Sequence, residues 1–241
     1  MPHDRLLAEQ RFFDEHYQSG GTALNGFYEM SVARRQFSSR ILSHGKGVRV
    51  LEYGCGTGSY AFDLADLGAE VVGIDISSSA IDIARQKAGD QSNLEFRLGN
   101  AEALEFEAGS FDLVCGTSIL HHLDTARAAS EIRRVLRPGG MGLFYEPIAY
   151  NPAAALYRVL TPSQHTPDEH PLRLVDLRLM QKSFAAVNVQ FFDFFALGAI
   201  PFLRLPGGRG LLRLLEAADR VAMSVPAARW LGSTAILELR A

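Results

Sequence analysis

The chain contains few cysteines and no long apolar run. Only Cys55 and Cys115 occur among its 241 residues, without CxxC spacing, so neither a disulfide framework nor a zinc site is expected. Two isolated thiols favour a reducing cytoplasm as the location. No run of 18 uncharged apolar residues occurs, so no membrane span is expected, and the amphipathic start lacks the pattern of a secretory signal.

The sequence also lacks a strong excess of charge of one sign. The formal net charge is -3 and no block of five like charges occurs, which argues against a nucleic-acid partner. Internal repeats and low-complexity tracts are absent from the sequence. A chain of this length with 47% hydrophobic residues is expected to form a single domain over residues 1–241.

What the sequence does contain is an alternation of apolar strands and helices. Before residue 45 two helices are predicted, the first with Phe12, Phe13 and Tyr17 on one side and the second over 27–43. Strands follow at 48–53, 70–75, 94–100, 111–118, 141–147, 188–197 and 233–240. Strands separated by helices predict an α/β fold, a mostly parallel sheet with helices on both faces.

A glycine loop follows the first strand in "VLEYGCGTGSY". Gly54, Gly56 and Gly58 form G-x-G-x-G, and Ser59 stands where a dinucleotide fingerprint has its third glycine. The lysine of a phosphate-binding loop is absent as well. Glycine lets the backbone approach a ligand closely. The loop therefore predicts a nucleoside site without a phosphate clamp.

Polar groups follow the next two strands. Asp75 ends the second strand about 20 residues after the loop begins, where a carboxylate can accept both hydroxyls of a ribose. Asn100 and Ala101 follow the third strand, where a polar side chain and backbone amides can pair with a base. Because the carboxyl ends of parallel strands share one edge, these groups are expected to meet there.

Five segments occur together in order between residues 48 and 147: "VLEYGCGTG", "VVGIDIS", "GNAEAL", "FDLVCGTSILHHL" and "RVLRPGGMGLFYEP". In this combination the chain resembles the class I S-adenosylmethionine-dependent methyltransferases, in their small-molecule branch. The resemblance implies a Rossmann-like three-layer sandwich whose seven-stranded sheet has an antiparallel last strand. It also implies S-adenosyl-L-methionine as cofactor and S-adenosyl-L-homocysteine as product.

The resemblance further implies a division of the chain and a set of cofactor contacts. Residues 1–45 would form a helical lid, 48–147 the cofactor-binding core and 148–241 the substrate side. Methionine would lie near Glu52 and Gly54, and adenine between Ile76 and Ala101. Asn100 replaces the aspartate of most relatives and can still accept from an adenine amino group. The implied contacts are Tyr17, Tyr28, Glu52, Gly54, Cys55, Gly56, Gly58, Asp75, Ile76, Asn100, Ala101, Glu102, Thr117, Ser118 and His122.

Two of these contacts have simpler alternatives. Its place beside a glycine turn favours Cys55 as a small packed residue over a reactive thiol, and the alternative for Glu52 is to cap a neighbouring amide and nothing more. For Glu52 the position at the entrance of the loop favours contact with the cofactor ammonium.

Histidines supply the candidates for acid–base chemistry. His121 and His122 follow the fourth strand at the ligand edge, where one of them can act as a general base; packing beside the cofactor is the alternative. The segment "HTPDEH" fits no standard zinc pattern, so no metal is expected. His165 and His170 are predicted to line the substrate entrance, and a solvated loop is the alternative. Glu146 is open between substrate contact and support of the adjoining loop.

An insertion over 198–232 carries an apolar helix with arginines. It is predicted to roof a pocket for a hydrophobic metabolite; a homodimer contact and a membrane surface are the alternatives. Methyl transfer to O, N or C of a small molecule is the predicted reaction. A non-methylating binding protein, a cofactor-assisted cyclase and a protein-directed methyltransferase remain open.

Overall fold

The structure is a computed structural model that describes residues 2–18, 31–166 and 169–241. Its α-helices are α1 (Pro2–Gln18), α2 (Val32–Ile41), α3 (Ala61–Asp66), α4 (Ser78–Ala88), α5 (Thr125–Val135), α6 (Pro152–Leu160), α7 (Leu174–Ser183) and α8 (Gly208–Ala222). Its strands are β1 (Arg49–Tyr53), β2 (Glu70–Asp75), β3 (Leu94–Leu98), β4 (Phe111–Thr117), β5 (Leu136–Pro147), β6 (Ala186–Phe192) and β7 (Thr234–Arg240). Short 3-10 helices lie at Leu120–His122, Pro162–Gln164, Ala196–Phe202 and Arg229–Leu231.

Helix starts follow short polar residues in the sequence. Ser77 accepts from the Ala80 amide at 3.1 Å, and Asp124 accepts from two amides of the first turn of α5. Asn151 caps α6 in the same way and is followed by proline, whose fixed φ suits the first helical turn. These caps place the helices directly behind the strand ends that surround the site.

The seven strands form one sheet in the order β3-β2-β1-β4-β5-β7-β6. Strands β1 to β5 pair in parallel, and β7 is antiparallel to both of its neighbours, β5 and β6. The predicted fold class, a mostly parallel seven-stranded sheet with an antiparallel last strand, is confirmed. The order changes direction between β1 and β4, which opens a crevice at their carboxyl ends.

Both faces of the sheet are buried. Neighbouring residues of β1 point to opposite faces, so Val50 packs with Phe37 and Leu64, whereas Leu51 packs with Ile132. Such two-sided burial explains why the strands read as continuous apolar runs. It holds the loops at the carboxyl edge on a rigid support.

Some boundaries differ from the predictions. β5 begins at Leu136 instead of 141, because the chain enters the sheet directly after α5 and shifts register opposite Phe111. β6 ends at Phe192 instead of 197, since Asp193 takes φ 61° and Asp219 accepts from the following three amides. The second helix begins after its cap Ser31; residues 19–30 lie outside the described part.

The insertion is joined to the body of the fold through buried acids. Glu216 of α8 accepts from the Val32 amide at 2.7 Å and pairs with Arg35 at 3.2 Å.

Among the helices of the described ranges, none combines the length and hydropathy that crossing a membrane requires.

Candidate functional site

A cavity of about 1070 Å³ lies at the carboxyl ends of β1, β2, β4 and β5. Helix α1 contributes a wall with Leu6, Glu9, Phe12, Phe13 and Tyr17. The predicted site residues that line it are Tyr17, Gly54, Gly56, Asp75, Ile76, Asn100, Ala101, Thr117, Ser118, His121, His122 and His165. The topology thus brings residues from six segments of the chain to one chamber.

The glycine loop is enclosed on both sides. Gly54 has φ 68°, and a Cβ built there would lie 2.6 Å from Ile119. Gly56 has φ 53°, and a Cβ there would overlap the Tyr17 hydroxyl. Only glycine fits these two positions without strain, and the bare backbone faces the cavity.

Gly56→Ala is expected to destabilise the protein more than Gly207→Ala. Both residues have a positive φ, 53° and 85°, and Gly207 is in the left-handed region, but a Cβ at Gly207 meets nothing within 4 Å. The Gly207 variant therefore carries only the left-handed backbone cost of about 1–2 kcal/mol, whereas the Gly56 variant adds ~1–3 kcal/mol of overpacking against Tyr17. Urea unfolding of both variants measures the difference.

Tyr17→Phe supplies the control for that comparison. Removing the hydroxyl should recover part of the loss in the Gly56→Ala background and none in the Gly207→Ala background. Equal losses for the two alanine variants would contradict a close contact between Tyr17 and the loop.

Asp75 connects the loop to the end of β2. One of its oxygens accepts from the Gly56 amide at 2.8 Å and the other from the Ser77 amide at 2.9 Å. Burial raises the pKa of this carboxyl, and the hydrogen bonds from Ser77 and Gly56 oppose that rise. A carboxylate oxygen accepts more than one hydrogen bond, so both oxygens keep capacity toward the cavity.

Asn100, Ala101 and Ile76 form the adjoining wall. The Asn100 side-chain oxygen accepts from the Glu102 amide at 2.8 Å, which makes a local turn. Part of the accepting capacity that we expected to face a base is therefore used within the loop.

Glu52 lies outside the cavity lining, contrary to the favoured expectation. It is 2% exposed, and its two oxygens accept from the Tyr60 and Ala61 amides at 2.8 and 3.0 Å. Burial raises its pKa to about 8. Because both oxygens satisfy the start of α3, the geometry supports the alternative, a capping role.

Three further expected contacts also lie behind the lining. Cys55 is fully buried beside the Gly73 backbone, which fits the packed-residue alternative. Gly58 faces Phe62, and the Glu102 carboxylate bonds Arg5 and the Asp124 amide. Each is held by neighbours inside the fold. Tyr28 lies outside the described residues.

His121 is held by a buried carboxylate. Glu146, at the end of β5, is fully buried; it accepts from the Ile119 and Leu120 amides at 2.9 Å and contacts His121 Nδ1 at 2.9 Å. Burial raises the pKa of Glu146 to about 7 and lowers that of His121 well below its usual range. Glu146 therefore supports the loop, the second of its two predicted roles, and His121 is neutral near pH 7.

A second polar group lies beside His121. His122 Nδ1 is 3.3 Å from a Glu9 oxygen and 3.5 Å from a Glu169 oxygen. Arg158 and His165 contact the other Glu169 oxygen at 2.7 and 2.8 Å. Burial acts to raise the pKa of Glu169, but the interactions with His122 and His121 and the hydrogen bond from Arg158 outweigh it, so the pKa is lowered.

This group also has the composition of a metal site. His121, His122 and Glu169 each offer a ligand atom within 4.8 Å of the others. The Arg158 guanidinium already balances the Glu169 charge, so we interpret the group as an ion-pair network. The sequence pointed to "HTPDEH" as a cluster, but Glu9 and Arg158 carried no local signal, since they reach it from α1 and α6.

His170 does not face the cavity. Its backbone amide donates to the His121 carbonyl at 3.0 Å, and its ring lies near Arg173 and Asp176.

The predicted roof over the pocket is not observed. No residue of 198–232 is in the cavity lining formed by the described residues, and α1 covers the chamber instead.

Comparison with known proteins shows what the central part of the chain is similar to. Residues 51–144 match the family model described as "Methyltransferase domain". A solved S-adenosylmethionine-dependent methyltransferase from Mesorhizobium loti superposes with a TM-score of 0.64 at 20% identity, covering 87% of this chain and 98% of that one. Residues 51–144 are therefore similar to the methyltransferase domain family, and the whole sheet has the fold of a solved S-adenosylmethionine-dependent methyltransferase.

Two curated relatives are similar over the same region. A demethylmenaquinone methyltransferase of Lactococcus lactis is 41% identical over 100 residues, 39% of this chain and 40% of the relative. A ubiquinone biosynthesis O-methyltransferase of Coxiella burnetii is 36% identical over 117 residues, 48% of this chain and 50% of the relative. The chain thus spans half or less of the length of these relatives.

Proposed function

We propose that the protein transfers a methyl group from S-adenosyl-L-methionine to an oxygen, nitrogen or carbon of a small, apolar metabolite. The observation that carries this proposal is a continuous chamber of about 1070 Å³, which has the glycine loop at one end and the histidines at the other. Ligand sites commonly have volumes of about 300–1000 Å³, so this one has room for a cofactor and an acceptor side by side.

The residues at the loop end fit the cofactor. Backbone at Gly54 and Gly56 would lie against it, and the Asp75 carboxylate would accept from the ribose hydroxyls. Ile76 and Ala101 offer apolar contact for adenine. When bound, S-adenosylmethionine supplies a methyl group already activated for displacement.

The chain's own residues have three tasks. The cavity walls hold a nucleophile in line and the α1 wall excludes water, and positioning of this kind can supply roughly 7–11 kcal/mol of the barrier. An oxygen nucleophile must also lose a proton. We propose that His121 accepts this proton. When Nδ1 carries the ring hydrogen and donates it to Glu146, the Nε2 atom has a lone pair that can accept a proton.

The histidine-rich end supports an acceptor with an apolar body and a polar head. Apolar walls come from Phe12, Phe13, Ile148 and Pro171, and polar groups from His122, Tyr157, Arg158, His165 and Glu169. The two relatives named for menaquinone and ubiquinone biosynthesis agree with such an acceptor. We include a cytoplasmic location in the proposal, supported by the two isolated thiols. We also include the absence of a nucleic-acid partner, supported by the net charge of -3.

The test combines binding and transfer. Calorimetry with S-adenosylhomocysteine is expected to give a dissociation constant in the micromolar range, and cell extract with methyl-labelled cofactor is expected to give one labelled small molecule, identified by mass. Binding without label would point to a non-methylating protein or a cyclase. Label on a protein band would point to a protein-directed enzyme.

A further inference from the structure

The exposed side of the insertion combines arginines with large apolar side chains. The apolar residues are between 46% and 70% exposed, and the arginines are exposed as well. We call this set the basic apolar surface; it consists of Arg204, Arg209, Arg213, Arg220, Phe202, Leu205, Leu214 and Val221.

Helix α8 arranges these residues in stripes. At 3.6 residues per turn, Arg209, Arg213 and Arg220 fall on one stripe, and Leu214 and Val221 fall on the adjoining exposed stripe. A charged stripe beside an exposed apolar stripe is typical of helices that lie in a membrane interface.

Negative charge is absent from this surface. The only acids between residues 198 and 232 are Glu216 and Asp219, which are 6% and 4% exposed. Their carboxylates are directed to α2 and to the amides after β6. Within the ranges the structure describes, none of the four surface arginines forms an ion pair. A chain with a net charge of -3 thus collects unpaired positive charge on one apolar face.

We propose that the basic apolar surface binds the face of a bilayer that contains anionic phospholipid. The arginines would lie at the phosphate level and the apolar side chains at the edge of the acyl region. A second copy fits less well, because a twofold contact would place this arginine stripe near its own symmetry mate. The proposal is independent of methyl transfer.

The insertion also contacts helix α6, which lines one end of the cavity. The Asn151 side chain, at the start of α6, donates to the Leu231 carbonyl at 2.7 Å. Leu156, Val159 and Leu160 of α6 are 59%, 76% and 70% exposed, whereas Arg158 lines the cavity. A second set of exposed apolar side chains thus lies on the helix that the insertion contacts.

Co-sedimentation with vesicles tests the proposal. The full chain is expected to bind vesicles of phosphatidylglycerol and phosphatidylcholine at least tenfold more strongly than vesicles of phosphatidylcholine alone, and less strongly at high salt. The triple variant Arg209→Glu, Arg213→Glu, Arg220→Glu is expected to lose at least tenfold in partition coefficient. Leu214→Ser with Val221→Ser should lower binding without removing the salt dependence.

The matched control reverses three exposed cations on α5 and α7: Arg133→Glu, Arg178→Glu and Lys182→Glu. It has the same net charge as the first variant and should keep most of the binding. Far-ultraviolet circular dichroism checks that all variants are folded. Equal binding to both kinds of vesicle, equal loss in the control, or a dimer that the arginine variant dissociates in the absence of vesicle binding would each overturn the proposal.

Discussion

Replacing Asp75 with alanine is expected to weaken binding of S-adenosylhomocysteine at least tenfold, or about 1.4 kcal/mol. The carboxylate lines the cavity at the end of β2 and holds the Gly56 amide, so its loss removes a ligand contact and a loop anchor together. Isothermal calorimetry measures the change. Asp82→Ala, an exposed change on α4, is the matched control and should leave the affinity unaltered.

A ligand change separates the contact from the anchor. If the Asp75 carboxylate accepts from the ribose hydroxyls, the 2′-deoxy analogue should bind the unaltered protein several-fold more weakly than S-adenosylhomocysteine. The Asp75→Ala variant should bind the two ligands with similar affinity. Undiminished discrimination in that variant would rule out a ribose contact for Asp75.

Glu146→Gln is expected to lower turnover by about 100-fold or more while cofactor affinity changes little, for an oxygen acceptor. The side chain has two backbone donors and the His121 ring to satisfy, and an amide offers only one oxygen to them. The His121 ring then loses its fixed orientation. Glu146 is a positioning residue, so turnover with labelled cofactor and calorimetry must both be measured.

His121→Ala provides a second measurement, because it leaves the bonds of Glu146 to the Ile119 and Leu120 amides in place. It should lose turnover to a similar degree, and the double variant should lose little more than either single variant. Glu95→Gln on the exposed face of β3 is the control. Unchanged turnover in both single variants, or additive losses, would contradict a joint role for Glu146 and His121.

Much of the fold could be predicted because its signals are local. The apolar runs of β1, β2 and β4 and the caps at Ser77 and Asp124 are readable over a few residues. The boundaries of β5 and β6 were harder, since one depends on register opposite Phe111 and the other on a buried contact between Asp219 and the amides after β6. Such contacts join distant segments and leave no local pattern.

The candidate site divides in the same way. Gly54, Gly56 and Asp75 could be located because strand ends of a parallel sheet share one edge. Glu9 and Arg158 could not, because their position depends on how α1 and α6 fold over that edge. The insertion was predicted as a roof, since its composition suited both a pocket and a surface, and only the packing of Glu216 and Asp219 shows which side faces inward.

The place of β7 between β5 and β6 has a consequence for the order of folding. In the part of the chain that the structure describes, strand β6 pairs with β7 alone. It therefore has no partner strand until β7, which follows it only after the whole insertion, is in position. The parallel half can assemble first from sequential units, whereas this outer hairpin must close a long loop. Late docking of the hairpin would leave the hydrogen-bonding edge of β5 unpaired for a time and able to pair with a strand of another chain. A study of folding kinetics should find docking of β6 and β7 as the slow step.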